Sequence, residues 1–165
     1  QEDDPLVEFA YQWLIANAPP LDHVSIVHGD CRGGNFLFDE KEVKITGWLD
    51  WELALLGDRH QDIAWSMHNS YRHMSEDGKH ELMSGFLPKT QYLEDYERLS
   101  GLSVDPKRLR YYRVLVSFMS VVICGGTGYR VARGGKTHQD GGGAWPARVT
   151  YPLAEQMRET IEEVV

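Results

Sequence analysis

Two cysteines in 165 residues, Cys31 and Cys124, are too few for a disulfide framework and share no metal-ligand spacing. No basic-then-apolar leader opens the chain, so nothing argues for export and a reducing, cytoplasmic setting is expected. Long hydrophobic runs are scarce too. The longest, VLVSFMSVVIC over 114–124, stops at 11 residues, short of a bilayer's thickness, and reads as a buried helix. Excess positive charge is also lacking. Seventeen Lys and Arg stand against 25 Asp and Glu, a net charge of -8, so neither nucleic acid nor a membrane surface is an expected partner. What remains is 42% hydrophobic and 25% charged, the balance of one soluble globular domain with a real core over 1–165.

Periodicity and punctuation predict a mainly α chain with a small β-hairpin, an α+β fold. Asp4-Pro5 reads as a cap followed by Pro in the first helical position, and Pro19-Pro20 ends that helix. Phe36-Leu37-Phe38, a polar turn at 39–42 and the alternating Val43-Lys44-Ile45-Thr46 form the hairpin, with Gly47 read as a bulge. Helices are expected from Asp58 through Met74, over Glu76–Phe86, over Pro88–Leu99, from Asp105-Pro106 onward, and around Leu153, Met157, Ile161 and Val164. Residues 125–143 hold eight of the sixteen glycines and read as a surface loop. GGKT at 134–137 lacks the upstream Gly of a phosphate loop, since Arg130 stands there.

The polar cluster HGDCRGGNFLF, 28–38, sits at the hairpin's root. His28-x-Asp30-x₄-Asn35 has the order and spacing of a kinase catalytic loop, in which the Asp takes the acceptor's proton and the Asn holds Mg²⁺. Phosphoryl transfer is mostly positioning and charge neutralisation. It needs a carboxylate near the attacking oxygen and hard oxygen ligands for a phosphate-bound metal. Asp50, at the end of the hairpin's second strand, stands where a second metal-binding carboxylate is required. Gly33-Gly34 reads as the bend that brings Asn35 round. The spacing alone is loose, and Asp30 and Asn35 also suit a turn; the hairpin and Asp50 tip the reading toward chemistry. His68, His73 and His80 share no helix face and read as packed or solvated. The tryptophans read as packing, with Trp51 near the site, and Cys31 has no base to activate it.

HGDCRGGNFLF, then GWLDWELALLGD, then QDIAW, resemble the aminoglycoside phosphotransferase and choline-kinase-like family of small-molecule kinases, densely over 24–68. The resemblance implies the helical C-terminal lobe of a protein-kinase-like fold. It implies Asp30 as catalytic base, His28 as its brace, Asn35 and Asp50 as Mg²⁺ ligands, and Asp62 as a hydrogen-bond acceptor for the loop backbone. Asp62 also suits a helix's first turn by charge alone, and Asp58 reads as a cap. Glu52 could reach metal or substrate. Arg32 could meet phosphate or simply be an exposed loop arginine.

The expected function is ATP- and Mg²⁺-dependent phosphorylation of a small-molecule hydroxyl. A non-catalytic kinase-like binding or regulatory domain is the alternative. No glycine-rich strand-turn-strand or strand lysine precedes Val24, so an N-terminal nucleotide lobe is expected as this lobe's partner, and the 165 residues alone as nearly inactive. The run DWELALLGD resembles the branch of the family found with acyl-CoA dehydrogenases, which points to a hydroxyacyl-type acceptor. Arg59 stands where that branch has Pro. The acidic residues Glu76, Asp77, Glu81, Glu94, Asp95 and Glu97 would instead suit a cationic aminoglycoside.

Overall fold

A computed structural model describes residues 4–21, 23–134 and 140–164. In chain order the elements are α1 (Pro5–Asn17), β1 (Ser25–Val27), β2 (Phe36–Asp39), β3 (Lys44–Trp48), β4 (Leu55–Gly57), α2 (His60–Ser66), β5 (His73–Met74), β6 (Glu81–Met83), β7 (Leu87–Pro88), α3 (Lys89–Ser100), α4 (Pro106–Gly134) and α5 (Asp140–Glu162). One-turn 3₁₀ helices lie at Trp51–Leu53 and Asn69–Tyr71. Long helices and short antiparallel strands make this the expected α+β fold with a helical lobe. The chain divides into two compact units, Gln1–Ala18 with Val114–Val165, and Pro19–Arg113.

In the first unit, Asp4 caps α1 by accepting from the Leu6 and Val7 amides at 3.0 and 3.4 Å, and Pro5 takes the first turn. This face buries Ala10 and Leu14, and α1 packs on α5, whose Leu153, Met157 and Ile161 are buried at the expected spacing. Tyr11 stacks on Phe118 at 6.4 Å. By length and composition Pro106–Val131 could cross a membrane. Within it Leu109, Tyr112, Val114, Val116 and Val121 are buried, while Val122, Ile123 and Tyr129 are exposed.

The glycine-rich stretch is not a loop throughout, as its composition predicts. Helix α4 runs on to Gly134, and 140–143 open α5; residues 135–137 of GGKT lie outside the described residues. Val121, Gly125 and Gly128 are buried at spacings of four and three, one packed face. Each glycine costs a helix about 1 kcal/mol relative to Ala, and packing of this face offsets it.

In the second unit, β1 pairs with β4 (Ile26 opposite Leu56) and β2 with β3. Leu37 faces Gly47 while Phe38 faces Ile45, so a bulge is present but its extra residue is Thr46, one before the predicted Gly47, which stays in register. The helix predicted over Glu76–Phe86 is absent. Those residues form a turn, β6 and the start of the β6–β7 connection, in a three-stranded sheet β5-β6-β7. Asp77-Gly78 decides it. Gly78 takes φ +68°, and the Asp77 carboxylate accepts from the Ser75 hydroxyl and the Lys79 amide. Helix α2 is likewise shorter than its apolar spacing predicts. It ends at Ser66, and His68 turns extended with its Nδ1 accepting from the Ser70 amide. Tyr71 and Met74 fall in the next turn and strand.

Candidate active site

The loop after β1 leaves the strand through Gly29, whose φ of +81° is the left-handed region. A Cβ there would sit 2.6 Å from the Leu53 carbonyl oxygen, so no side chain fits. The His28 and Gly29 amides donate to the two Asp62 oxygens at 2.7 and 2.9 Å. Burial pushes the Asp62 carboxyl above its ordinary value, against the pull of those two donors. His28, also buried, fixes its own tautomer. Its Nδ1 faces the Asp30 amide at 3.2 Å and must accept, so Nε2 carries the proton and donates to the Leu49 carbonyl at 2.8 Å. One imidazole thus ties the loop to the residue before Asp50. The Trp51 ring packs against it at 4.6 Å.

Asp30 is surrounded by donors. Trp65 Nε1 donates to Oδ1 at 2.6 Å, Asn35 Nδ2 to Oδ2 at 2.6 Å, and Arg32 Nε lies 3.2 and 3.1 Å from the two oxygens. Asn35 Nδ2 also donates to the Asp30 carbonyl at 2.9 Å. With acceptors on both of its contacts, that atom can only be the amide nitrogen. The Asn35 side-chain oxygen, Oδ1, accepts nothing among the described residues. Gly33 and Gly34 have no positive φ, so the predicted bend rests on space instead: a Cβ on Gly33 would lie 3.0 Å from the Phe86 ring.

The Leu49 amide donates to the Asn35 carbonyl at 2.8 Å, and Phe36 pairs with Trp48, so Asn35 and Asp50 emerge at one end of the β2–β3 hairpin. Asp50 is exposed, and its carboxylate accepts no hydrogen bond among the described residues. Its φ of 64° and ψ of 54° put a non-glycine residue in the left-handed region, a strained conformation that gathers at functional sites. Two hard oxygens at one hairpin end fit Mg²⁺, which keeps waters and takes one or two carboxylate-type ligands plus phosphate oxygens. Glu52 is exposed on the following 3₁₀ turn.

Helix α2 addresses the loop with one face. Asp62, Trp65 and Ser66, at i, i+3 and i+4, meet residues 28–29, 30 and 31 in turn; the Ser66 hydroxyl donates to the Cys31 carbonyl at 3.0 Å. The sequence predicts packing alone for Trp65; its i+3 step from Asp62 is the signal for its polar role. Asp58 is wholly buried, accepting from the His60 amide and ring and from Arg108, so it does more than cap α2. Arg108 carried no signal in the sequence. The Arg59 guanidinium donates to the Ser103 carbonyl at 2.6 Å. Burial pushes Cys31 up to about 11 and His68 down to about 4, leaving an inert thiol and a neutral imidazole. His73 and His80 are exposed.

A pocket of about 320 Å³ opens beside the loop, lined by Arg32, Tyr71, His73, Ser84 and Phe86 with Gly33 and Gly34, and no carboxylate. A second, apolar one of about 220 Å³ shares Arg32, Ser84 and Phe86 and adds Cys31, Phe36, Trp48 and Tyr92.

The family model described as the phosphotransferase enzyme family matches residues 1–110. Human (Homo sapiens) acyl-CoA dehydrogenase family member 11 is 27% identical over 159 residues, which cover 93% of this chain and 20% of that protein. Aminoglycoside 3'-phosphotransferase of Niallia circulans is 31% identical over 118 residues, covering 72% of this chain and 40% of its own length. A crystal structure from Ralstonia eutropha JMP134, provisionally named an aminoglycoside phosphotransferase, matches with TM-score 0.77 and 26% identity over 99% of this chain and 50% of that one. The chain therefore spans about a fifth of its human relative and half of the crystallised one. With residues 1–110 of its 165 inside the family model and a donor-ringed Asp30 beside Asn35 and Asp50, the chain belongs to the phosphotransferase enzyme family.

Proposed function

We propose that this chain supplies the base, the metal ligands and the acceptor pocket of a kinase that moves the γ-phosphoryl group of ATP onto a small-molecule hydroxyl. The observation that carries this reading is the Asp30 carboxylate, held by Asn35 at the hairpin end that also presents Asp50. The acceptor O–H bonds to Asp30. As its oxygen forms the new bond to phosphorus, the proton passes to the carboxylate and the β,γ-bridging bond breaks to release ADP. Asn35 and Asp50 would hold Mg²⁺, which neutralises phosphate charge. His28 keeps the loop registered on Leu49, and Asp62 keeps its backbone from relaxing. The adenine is assigned to chain beyond these residues, so the 165-residue piece alone is expected to turn over little.

The acceptor pocket carries Arg32 and His73 and no carboxylate, which favours a neutral or anionic acceptor such as a hydroxyacyl compound over a polycationic aminoglycoside. The acidic surface offers less to a cation than its sequence implies. Asp77, Glu81, Asp95 and Glu97 are engaged by Lys79, Arg72, Arg98 and the Val104 amide. Calorimetry of ATP binding to the full-length protein tests the reading. Binding is expected to require Mg²⁺, and Asp50→Asn to weaken Mg²⁺ affinity at least about tenfold. ATP binding indifferent to both, with no phosphorylated product from a panel of hydroxyl compounds, points to the non-catalytic binding domain instead.

A further inference from the structure

Asp30 has about four acceptor positions on its two oxygens, and three N–H donors cover them, one of them shared between both oxygens. Arg32 Nε is nearly equidistant from both oxygens, at 3.2 and 3.1 Å, so it sits across the open edge of the carboxylate. An acceptor hydroxyl needs that edge, and Arg32 must leave it for a base to act. Trp65 and Asn35 hold the remaining positions, each at 2.6 Å. Only they can keep the carboxylate aimed once the guanidinium has gone.

Trp65 is built for this. Its indole is 4% exposed and rides on α2, the helix that anchors the rest of the loop. It lies in an aromatic group with His68 at 6.3 Å and Tyr71 at 6.2 Å, and the Arg32 guanidinium rests over the Tyr71 ring at 5.6 Å. His68 is neutral in that group because burial holds it at about 4, so it does not repel the guanidinium. The circuit Asp30–Trp65–Tyr71–Arg32–Asp30 closes on itself, with the base and its cover seated on one platform. We propose that Trp65 is a positioning residue for phosphoryl transfer, its indole N–H holding Asp30 Oδ1 in the base's working orientation when Arg32 moves off. This rests on the kinase reading above.

The test uses the full-length protein with Mg·ATP as probe and water as acceptor, comparing wild type with Trp65→Phe, which keeps an aromatic ring and removes the N–H. Trp65→Phe is expected to lower kcat about 10–100-fold with KM for Mg·ATP unchanged. In ¹⁵N-labelled protein the Trp65 indole resonance should move between wild type and Asp30→Asn, because a neutral amide oxygen is a weaker acceptor for its N–H than the carboxylate. Wild-type turnover that Trp65→Phe leaves within about twofold overturns this inference alone. An indole signal that ignores Asp30→Asn does the same. No Mg·ATP turnover in the wild type overturns the kinase reading and this inference together.

Discussion

Asp30→Asn lowers the turnover of the full-length protein by about 10²–10⁴-fold, the usual worth of a positioned base, while Mg·ATP binds nearly as before. The substitution keeps the side chain's shape. Its amide oxygen can still accept from the Trp65 indole, which now donates at 2.6 Å, but an amide cannot take the acceptor's proton at neutral pH. The proposed metal ligands, Asn35 and Asp50, are other residues, so the loss should fall on kcat rather than on nucleotide affinity. Steady-state kinetics beside binding calorimetry separates the two. A loss under tenfold would remove Asp30 from the base's role.

The largest stability loss is expected at Asp58→Asn, about 3–5 kcal/mol of unfolding free energy, the cost of breaking a buried charge pair by removing one partner. Asp58 and His60 have no exposed side-chain surface. His60 Nε2 accepts the Asp105 amide at 3.0 Å, so its Nδ1 carries the proton and donates to Asp58 Oδ1 at 2.5 Å, beside the His60 amide at 2.9 Å. Arg108 donates to Oδ2 at 2.9 Å. An asparagine has one acceptor oxygen for these donors and points an NH₂ group at the rest. The pH dependence follows from the same contacts. Burial alone would raise Asp58, but the His60 hydrogen bonds and Arg108 outweigh it and hold the carboxyl below its ordinary 3.8. A folded-state value lower than the unfolded one means the contribution is complete above about 3.8 and is lost as pH falls through the folded value. Urea unfolding at pH 7 and near pH 3 should therefore show wild type losing more stability in acid than Asp58→Asn. Equal acid losses would remove Asp58 from that role.

The parts of the site legible in the sequence are those whose partners lie close along the chain. Spacing within 28–35 exposes the loop, and alternation across 36–48 exposes the hairpin that carries Asp50 back to it. The Asp4 and Asp105 caps are equally local, Asp105 accepting from the Lys107 amide at 2.7 Å. What escaped is of two kinds. The Asp58–Arg108 pair, the Trp65–Asp30 bond and the β1–β4 pairing join residues far apart in sequence, and nothing in a single sequence announces such partners. The strands at 73–88 and the helix through Gly125 and Gly128 are cases where context overrode propensity. A turn at Asp77-Gly78 outweighed helix-forming neighbours, and a packed face tolerated glycines that an isolated helix would not.

Loop amides ordinarily trade their protons with water quickly, because local opening costs little. The His28 and Gly29 amides are different, since each is locked to a half-buried carboxylate carried by α2. They can exchange only when that carboxylate is withdrawn. Hydrogen exchange at these two positions is thus clocked by the opening of a helix whose Asp62 lies 34 and 33 residues further along the chain, and hardly at all by the loop they belong to.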